Sequence, residues 1–263
     1  MELYQEDVRL TTVIFNGTGS STGVPQLFCS CDVCKLKDER NRRTRFSMTL
    51  IENGTVLQID FPYEIRQQLL KSQISHIDAG WLTHAHSDHF AGIDDLRMAS
   101  FRNDEPLPFF LSRETFEIAQ QRFPYLFFEN EYLPRPFLKP VFVEKEPVQF
   151  RNMTLLPIRH KHGETVVTSL RFKDFALLAD INSIEPAELD KAKGVRLLAI
   201  SSTVWKKKHP THFSFEEILD IIRYLAPEKA CLTHMNHTFD YEETLKKLPA
   251  NVVPAVDGLK MEV

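Results

Sequence analysis

Short apolar runs closed by polar residues recur along this chain. "LTTVIFNGTG" (10–19) is one, and it ends in a glycine-rich turn. "SMTLIENGTVLQID" (47–60) holds two such runs joined by Asn53-Gly54. That dipeptide predicts a hairpin, because the favoured two-residue turn needs positive φ at both central positions. "YEIRQQLLKSQ" (63–73) switches to helical spacing of its apolar residues, and "HIDAGWLTH" (76–84) returns to a short strand ending in His84. The Phe- and Pro-rich stretch 105–150 predicts short strands with a helix around "RETFEIAQQRF". "MTLLPIRH" (153–160) and "VVTSLRF" (166–172) pair as strands; "FALLAD" (175–180) and "RLLAIS" (196–201) read as two more. "SFEEILDIIRYL" (214–225) is an amphipathic helix opened by Ser214, with Glu216 and Glu217 in its first turn. "KACLTH" (229–234) is a strand again closed by His, and the chain turns last at Asp257-Gly258. Early hairpins, later strands alternating with helices, and polar residues at strand ends predict a mixed sandwich with a site along one edge.

Those strand ends carry the chemistry. "WLTHAHSDHF" (81–90) packs His84, His86, Asp88 and His89 into one short turn. His84 and His86, two apart on extended chain, can face one metal ion. After a turn, Asp88 and His89 can face a second. Two ions then need more donors, and the chain offers "RHKHG" (159–163), Asp180 after "LLA", and His234 after "LT". A lone His at a strand end is usually a core-edge or surface residue, and Asp180 could equally cap a helix before "INSIEPAELD". Five His and two Asp together suffice for two four- or five-coordinate ions.

Composition narrows the partners. In 263 residues, 43% are hydrophobic and 26% charged, which suits a folded soluble chain, here expected as a single domain over 1–263. The net charge of -4 and the pI near 6.2 give no global pull toward nucleic acid, and no long basic arm is present to grip a polynucleotide. "MELYQEDVRL" lacks the basic and apolar regions of a secretory signal, and no apolar run is long enough to span a bilayer. A cytoplasmic protein without a membrane partner is therefore expected, with a homodimer left open. Three of the four cysteines sit in "CSCDVC" (29–34), too close together to cross-link distant segments, which favours metal over a disulfide framework. Cys29, Cys31 and Cys34 fall one ligand short of a closed zinc site. Cys231, inside an apolar strand, reads as a packing residue. "GTGSSTG" (17–23) is a poor phosphate loop, since Val24-Pro25 and not a helix follows, and the lysines of "WKKK" (205–208) read as a solvated face.

"HAHSDH", the later "HG", "LLAD" and "LTH", in this order, resemble the metallo-β-lactamase superfamily. "GTGSSTGVPQ", "CSCDVC", "HPTHFS" (209–214), "LTHMNHTFD" (232–240) and "VDGLKMEV" resemble its PhnP-type phosphodiesterases. The resemblance covers nearly the whole chain. It implies an α/β fold, the four-layer αββα sandwich, and a hydrolase with two divalent ions (Zn, Mn or Fe) in its active site. By motif, His84, His86 and His162 would hold one ion and Asp88, His89 and His234 the other, with Asp180 between them. His162 is preferred to His160 because it directly precedes Gly163. His237 would complete a structural zinc with the three cysteines. His212 would be the general acid, and a bridging hydroxide would attack a small, in some relatives cyclic, phosphodiester. A nuclease of the same fold, a zinc-stapled accessory protein with a vestigial site, and redox use of iron are the alternatives. "IDFPY" (59–63) departs from the pattern, in which a Gly often follows the Asp; this bears on the pocket floor and so on the substrate.

Overall fold

The computed structural model describes residues 11–129, 134–205 and 209–263. The opening "MELYQEDVRL" and the lysines of "WKKK" lie outside the described residues. The strands in chain order are β1 (Thr12–Gly17), β2 (Ser47–Glu52), β3 (Thr55–Ile59), β4 (Ala79–Trp81), β5 (Leu107–Leu111), β6 (Leu138–Phe142), β7 (Val148–Phe150), β8 (Met153–His162), β9 (Thr165–Phe172), β10 (Phe175–Leu178), β11 (Leu197–Ser201), β12 (Lys229–Thr233), β13 (Val252–Pro254) and β14 (Leu259–Glu262). They form two seven-stranded sheets, ordered β14-β1-β2-β3-β4-β5-β6 and β13-β12-β11-β10-β9-β8-β7.

Period-two alternation assigns each strand face to a layer. On β10, Leu177 packs between the sheets while Ala176 and Leu178 face outward. On β11, Leu197 and Ala199 point inward, and Leu198 and Ile200 outward. The outward set packs with Phe215, Ile218, Ile222 and Leu225 of the helix Phe215–Leu225. On the other sheet, Phe109 and Leu111 of β5 face outward with Ile65, Ala119 and Leu126 of the covering helices. Helix, sheet, sheet, helix is therefore the layering, as expected. Cys231 faces the inter-sheet core, so its apolar strand determines its role. Trp81 is fully buried there, and its indole N–H donates to the Thr168 carbonyl at 2.8 Å, which ties β4 of one sheet to β9 of the other without leaving a buried donor unpaired.

Asn53 and Gly54 take φ of 49° and 80°, the positive values the hairpin turn demands. Ser214 and Glu217 form a reciprocal capping box at the start of the long helix. Two expectations need correction. The strand of "HIDAGWLTH" stops at Trp81, so His84 sits on a loop and not at a strand end. The first sheet is also not simply a set of hairpins: β3, β4, β5 and β6 pair in parallel, as do β10, β11, β12 and β13. Parallel strands send their carboxyl ends to one edge, and the polar residues following β3, β4, β10, β11 and β12 meet there.

Close approach at this edge requires glycine. A Cβ on Gly17 would lie 2.0 Å from the Arg45 carbonyl oxygen, and one on Gly19 would lie 2.8 Å from that of Arg43. The Thr18 carbonyl accepts from Met235 N at 2.9 Å, so this loop is a structural turn packed beside His234. Asp257 completes the arrangement: its carboxylate accepts from the backbone and hydroxyl of both Thr18 and Thr44.

Candidate active site

Three groups of donors converge at the edge. His84, His86 and His162 form one, Asp88, His89, Asp180 and His234 a second, and His162, Asp180 and His212 a third; within each group the potential ligand atoms lie within 4.8 Å of one another. Asp180 and His162 thus connect the clusters. The helix after Asp180 begins only at Pro186 with Glu185 at its N-cap, so Asp180 caps nothing. His160 stays outside the groups: its Nε2 is 2.8 Å from Ser169 Oγ.

His84, His89 and His162 are each held through Nδ1, which leaves Nε2 for the centre. His89 Nδ1 is 2.6 Å from Asp60 Oδ2, His84 Nδ1 is 3.0 Å from Thr83 Oγ1, and His162 Nδ1 is 2.6 Å from the Thr211 carbonyl. His84 Nε2 and His89 Nε2 are buried with no hydrogen-bond partner. Buried polar nitrogens are rarely left so unless something binds there. The helical turn Ser87–Phe90 sets Asp88 and His89. Asp88 Oδ2 then lies 3.3 Å from His234 Nε2 and 3.5 Å from His89 Nε2, and Asp180 Oδ2 lies 3.5 Å from His89 Nε2. Two donors at about 2.1 Å from one tetrahedral ion stand about 3.4 Å apart, so these separations match those that a single ion would set between its ligands.

The electrostatics agree. Among the described residues, the ion-pair partners of Asp88 and Asp180 are all histidines. Burial works to raise both carboxyls, yet His89 and His234 hold them far below the usual range. Burial works to neutralise His89, but Asp88, Asp60 and Asp180 outweigh it and hold that imidazole protonated well above its ordinary value. Burial, followed by the His89 charge, depresses His84 strongly; burial also lowers His86, with His162 next. Neutral imidazoles facing a buried excess of carboxylate charge form a site suited to divalent cations.

His212 sits beside this centre, its ring 4.5 Å from that of His162 and 5.8 Å from that of His234. Its Nδ1 is buried without a partner, and burial pushes the imidazole down to about 3. The loop carrying it is anchored where Phe213 N donates to the Ile181 carbonyl at 2.9 Å.

A separate cluster lies at the rim. His237 Nδ1 is 3.2, 3.4 and 3.7 Å from the sulfurs of Cys29, Cys31 and Cys34. With zinc–sulfur bonds of about 2.3 Å and a zinc–nitrogen bond of about 2.0 Å, tetrahedral S···N edges are about 3.5 Å. The four donors therefore fit one zinc, which would join the N-terminal loop to the segment carrying His234.

Two further residues support the side chains of the His/Asp centre. Asp60, the acidic residue of "IDFPY", takes φ of 55° after β3 and accepts from Thr83 N, Thr83 Oγ1 and His89. Ser201, closing β11, donates to Asp180 Oδ1 at 3.1 Å. An Asp directly after a strand was the available signal for the first; a serine ending an apolar strand gives none.

Residues 54–235 match the family model described as the beta-lactamase superfamily domain. The chain belongs to the β-lactamase superfamily. Among solved structures, a diphosphatase from the PhnP family is similar at a TM-score of 0.90 and 32% identity, over 97% of each chain. Human tRNase Z, short form, shares the superfamily fold at a TM-score of 0.69 and 16% identity, covering 95% of this chain and 98% of that one. A curated relative, octanoyltransferase from Porphyromonas gingivalis (strain ATCC BAA-308 / W83), is 33% identical over 250 residues, 94% of this chain. This β-lactamase superfamily chain spans about half (50%) of that relative's length. The fold implies divalent metal binding, and the His/Asp clusters supply the donors for it. Among the described residues, no helix is long and apolar enough to cross a membrane.

Proposed function

We propose that this hydrolase-family chain is a dinuclear metal-dependent phosphodiesterase acting on a small phosphodiester, cyclic esters included. The observation that carries the reading is the three-histidine cluster set against the cluster of Asp88, His89, Asp180 and His234, with Asp180 Oδ2 3.7 Å from His162 Nε2 and the unpartnered Nδ1 of His212 close by. His84, His86 and His162 would hold one ion; Asp88, His89 and His234 would hold the other; Asp180 would bridge them. When bound, such ions supply a hydroxide at neutral pH and neutralise charge on the phosphoryl oxygens. The chain itself orients this centre through Asp60, Thr83 and the Thr211 carbonyl. His212 holds the proton that the leaving alkoxide needs. Burial by itself keeps that imidazole neutral; a bound phosphodiester anion beside it favours the protonated form. The diphosphatase of the PhnP family supports phosphoryl chemistry, as that protein's name states it. The name octanoyltransferase covers a protein about twice as long, so acyl transfer is tested separately. Cys29, Cys31, Cys34 and His237 would carry a structural zinc.

The test is a hydrolysis panel on metal-defined protein: cyclic nucleotides, a ribosyl cyclic phosphate, bis-aryl phosphates, RNA, a β-lactam and an octanoyl thioester. Turnover of small phosphodiesters above the rest is the expected result. Turnover confined to RNA, the β-lactam or the thioester overturns the reading.

A further inference from the structure

The chain reads Ser201-Ser202-Thr203 where β11 ends, and the third residue faces His234, which follows β12. Thr203 Oγ1 lies 3.0 Å from the His234 carbonyl oxygen and 2.8 Å from His234 Nδ1. A carbonyl only accepts, so the single hydroxyl hydrogen is committed to it. The Thr203 oxygen can then only accept from Nδ1, which must carry a hydrogen. Asp180 Oδ1, 3.3 Å from the same Nδ1, is also an acceptor and demands the same arrangement. The lone pair of His234 is thereby placed on Nε2, the atom 3.3 Å from Asp88 Oδ2. The backbone is constrained at the same point. His234 takes φ of 55°, a conformation unusual for a residue with a side chain. The Thr203 hydroxyl braces it from one side, and Met235 N, donating to the Thr18 carbonyl at 2.9 Å, from the other.

We infer that Thr203 is a positioning residue that fixes both the tautomer and the backbone setting of His234, so that Nε2 is presented to a metal ion. The inference rests on the metal reading above. Its distinguishing feature is that one hydroxyl does both tasks: it donates to the backbone of His234 and accepts from its ring. Asp180 cannot do both, because an ionised carboxylate has no hydrogen to donate to the His234 carbonyl.

The experiment compares Thr203→Val, which keeps the shape and removes the hydroxyl, with Thr203→Ser, which keeps the hydroxyl. Zinc affinity of the catalytic centre is measured by competition with a chromophoric chelator, and zinc retained by the cysteine cluster serves as the internal control. Thr203→Val is expected to weaken the centre by about 10–100-fold, the usual loss when a ligand's outer partner is removed. Thr203→Ser should restore near-parent affinity, and the cysteine-held zinc should be unchanged in both. Nitrogen-15 spectra of the zinc-loaded proteins should show His234 bound through Nε2 with Nδ1 protonated in the parent and the Ser variant, and a mixed population in the Val variant. Unchanged affinity in Thr203→Val overturns the inference, and so does a Ser variant as weak as Val, which would mean that the methyl group matters. A parent that takes up no metal beyond the cysteine-held zinc overturns the metal reading itself, a result distinct from either of these.

Discussion

Asp60 Oδ2 lies 2.6 Å from His89 Nδ1, and both side chains are wholly buried. The same carboxylate accepts from Thr83 N and Thr83 Oγ1, so it is held from two sides. An amide in its place keeps the shape but offers one acceptor atom where two are used. Asp60→Asn is therefore expected to weaken metal at the His89 position by about 10–100-fold while the cysteine cluster keeps its zinc. Chelator competition measures this, and parent-like affinity would show that His89 needs no such support.

Metal uptake should release protons. In the metal-free protein, burial opposes charge on His89, but Asp88, Asp60 and Asp180 hold it protonated well above the ordinary histidine value. At pH 7 an ion taking Nε2 must displace that proton, so affinity rises with pH until the metal-free imidazole itself deprotonates. For one proton the rise is about tenfold per pH unit. Calorimetric titration in buffers of different ionisation enthalpy counts the protons released. A pH-independent affinity would remove His89 from the ligand set.

The cysteine cluster is expected to bind zinc more tightly than the catalytic pair. Mild chelation should leave about one zinc per chain, because three thiolates and an imidazole close a tetrahedral site. Cys31→Ser should lose that zinc and melt at a lower temperature, since the N-terminal loop is then released from His237. Elemental analysis and thermal denaturation decide this; zinc content and melting unchanged in the variant would exclude the cluster as a metal site.

His212 separates proton transfer from metal binding. His212→Ala should keep its full metal content and lose about 10²–10⁴-fold in rate on an ester with an alkyl leaving group. On a nitrophenyl ester the loss should be much smaller, because that anion needs little help from a proton. Rates across leaving groups of graded pKa test this. Equal losses on all of them would assign His212 to positioning, and loss of metal would make it a ligand, as its place beside His162 and Asp180 also allows.

The sequence by itself determined what neighbouring residues determine. Hairpin, helix and strand follow from apolar spacing and from turn residues such as Asn53-Gly54 and Ser214. The run from His84 to His89 was conspicuous because its donors lie within one turn. Cys231 was legible as core because it sits inside an apolar strand. His160 and His162 were harder, since residues two apart on one strand share a face; only the fold sends His160 against Ser169 and His162 beside His84 and His86. The parallel pairing of β3 through β6 was not legible either, because strand order depends on how distant segments pack. Asp60, Ser201 and Thr203 were missed for the same reason. Their function lies in hydrogen bonds to His89, Asp180 and His234, residues far along the chain, and such bonds exist only once parallel strands have brought their carboxyl ends to one edge.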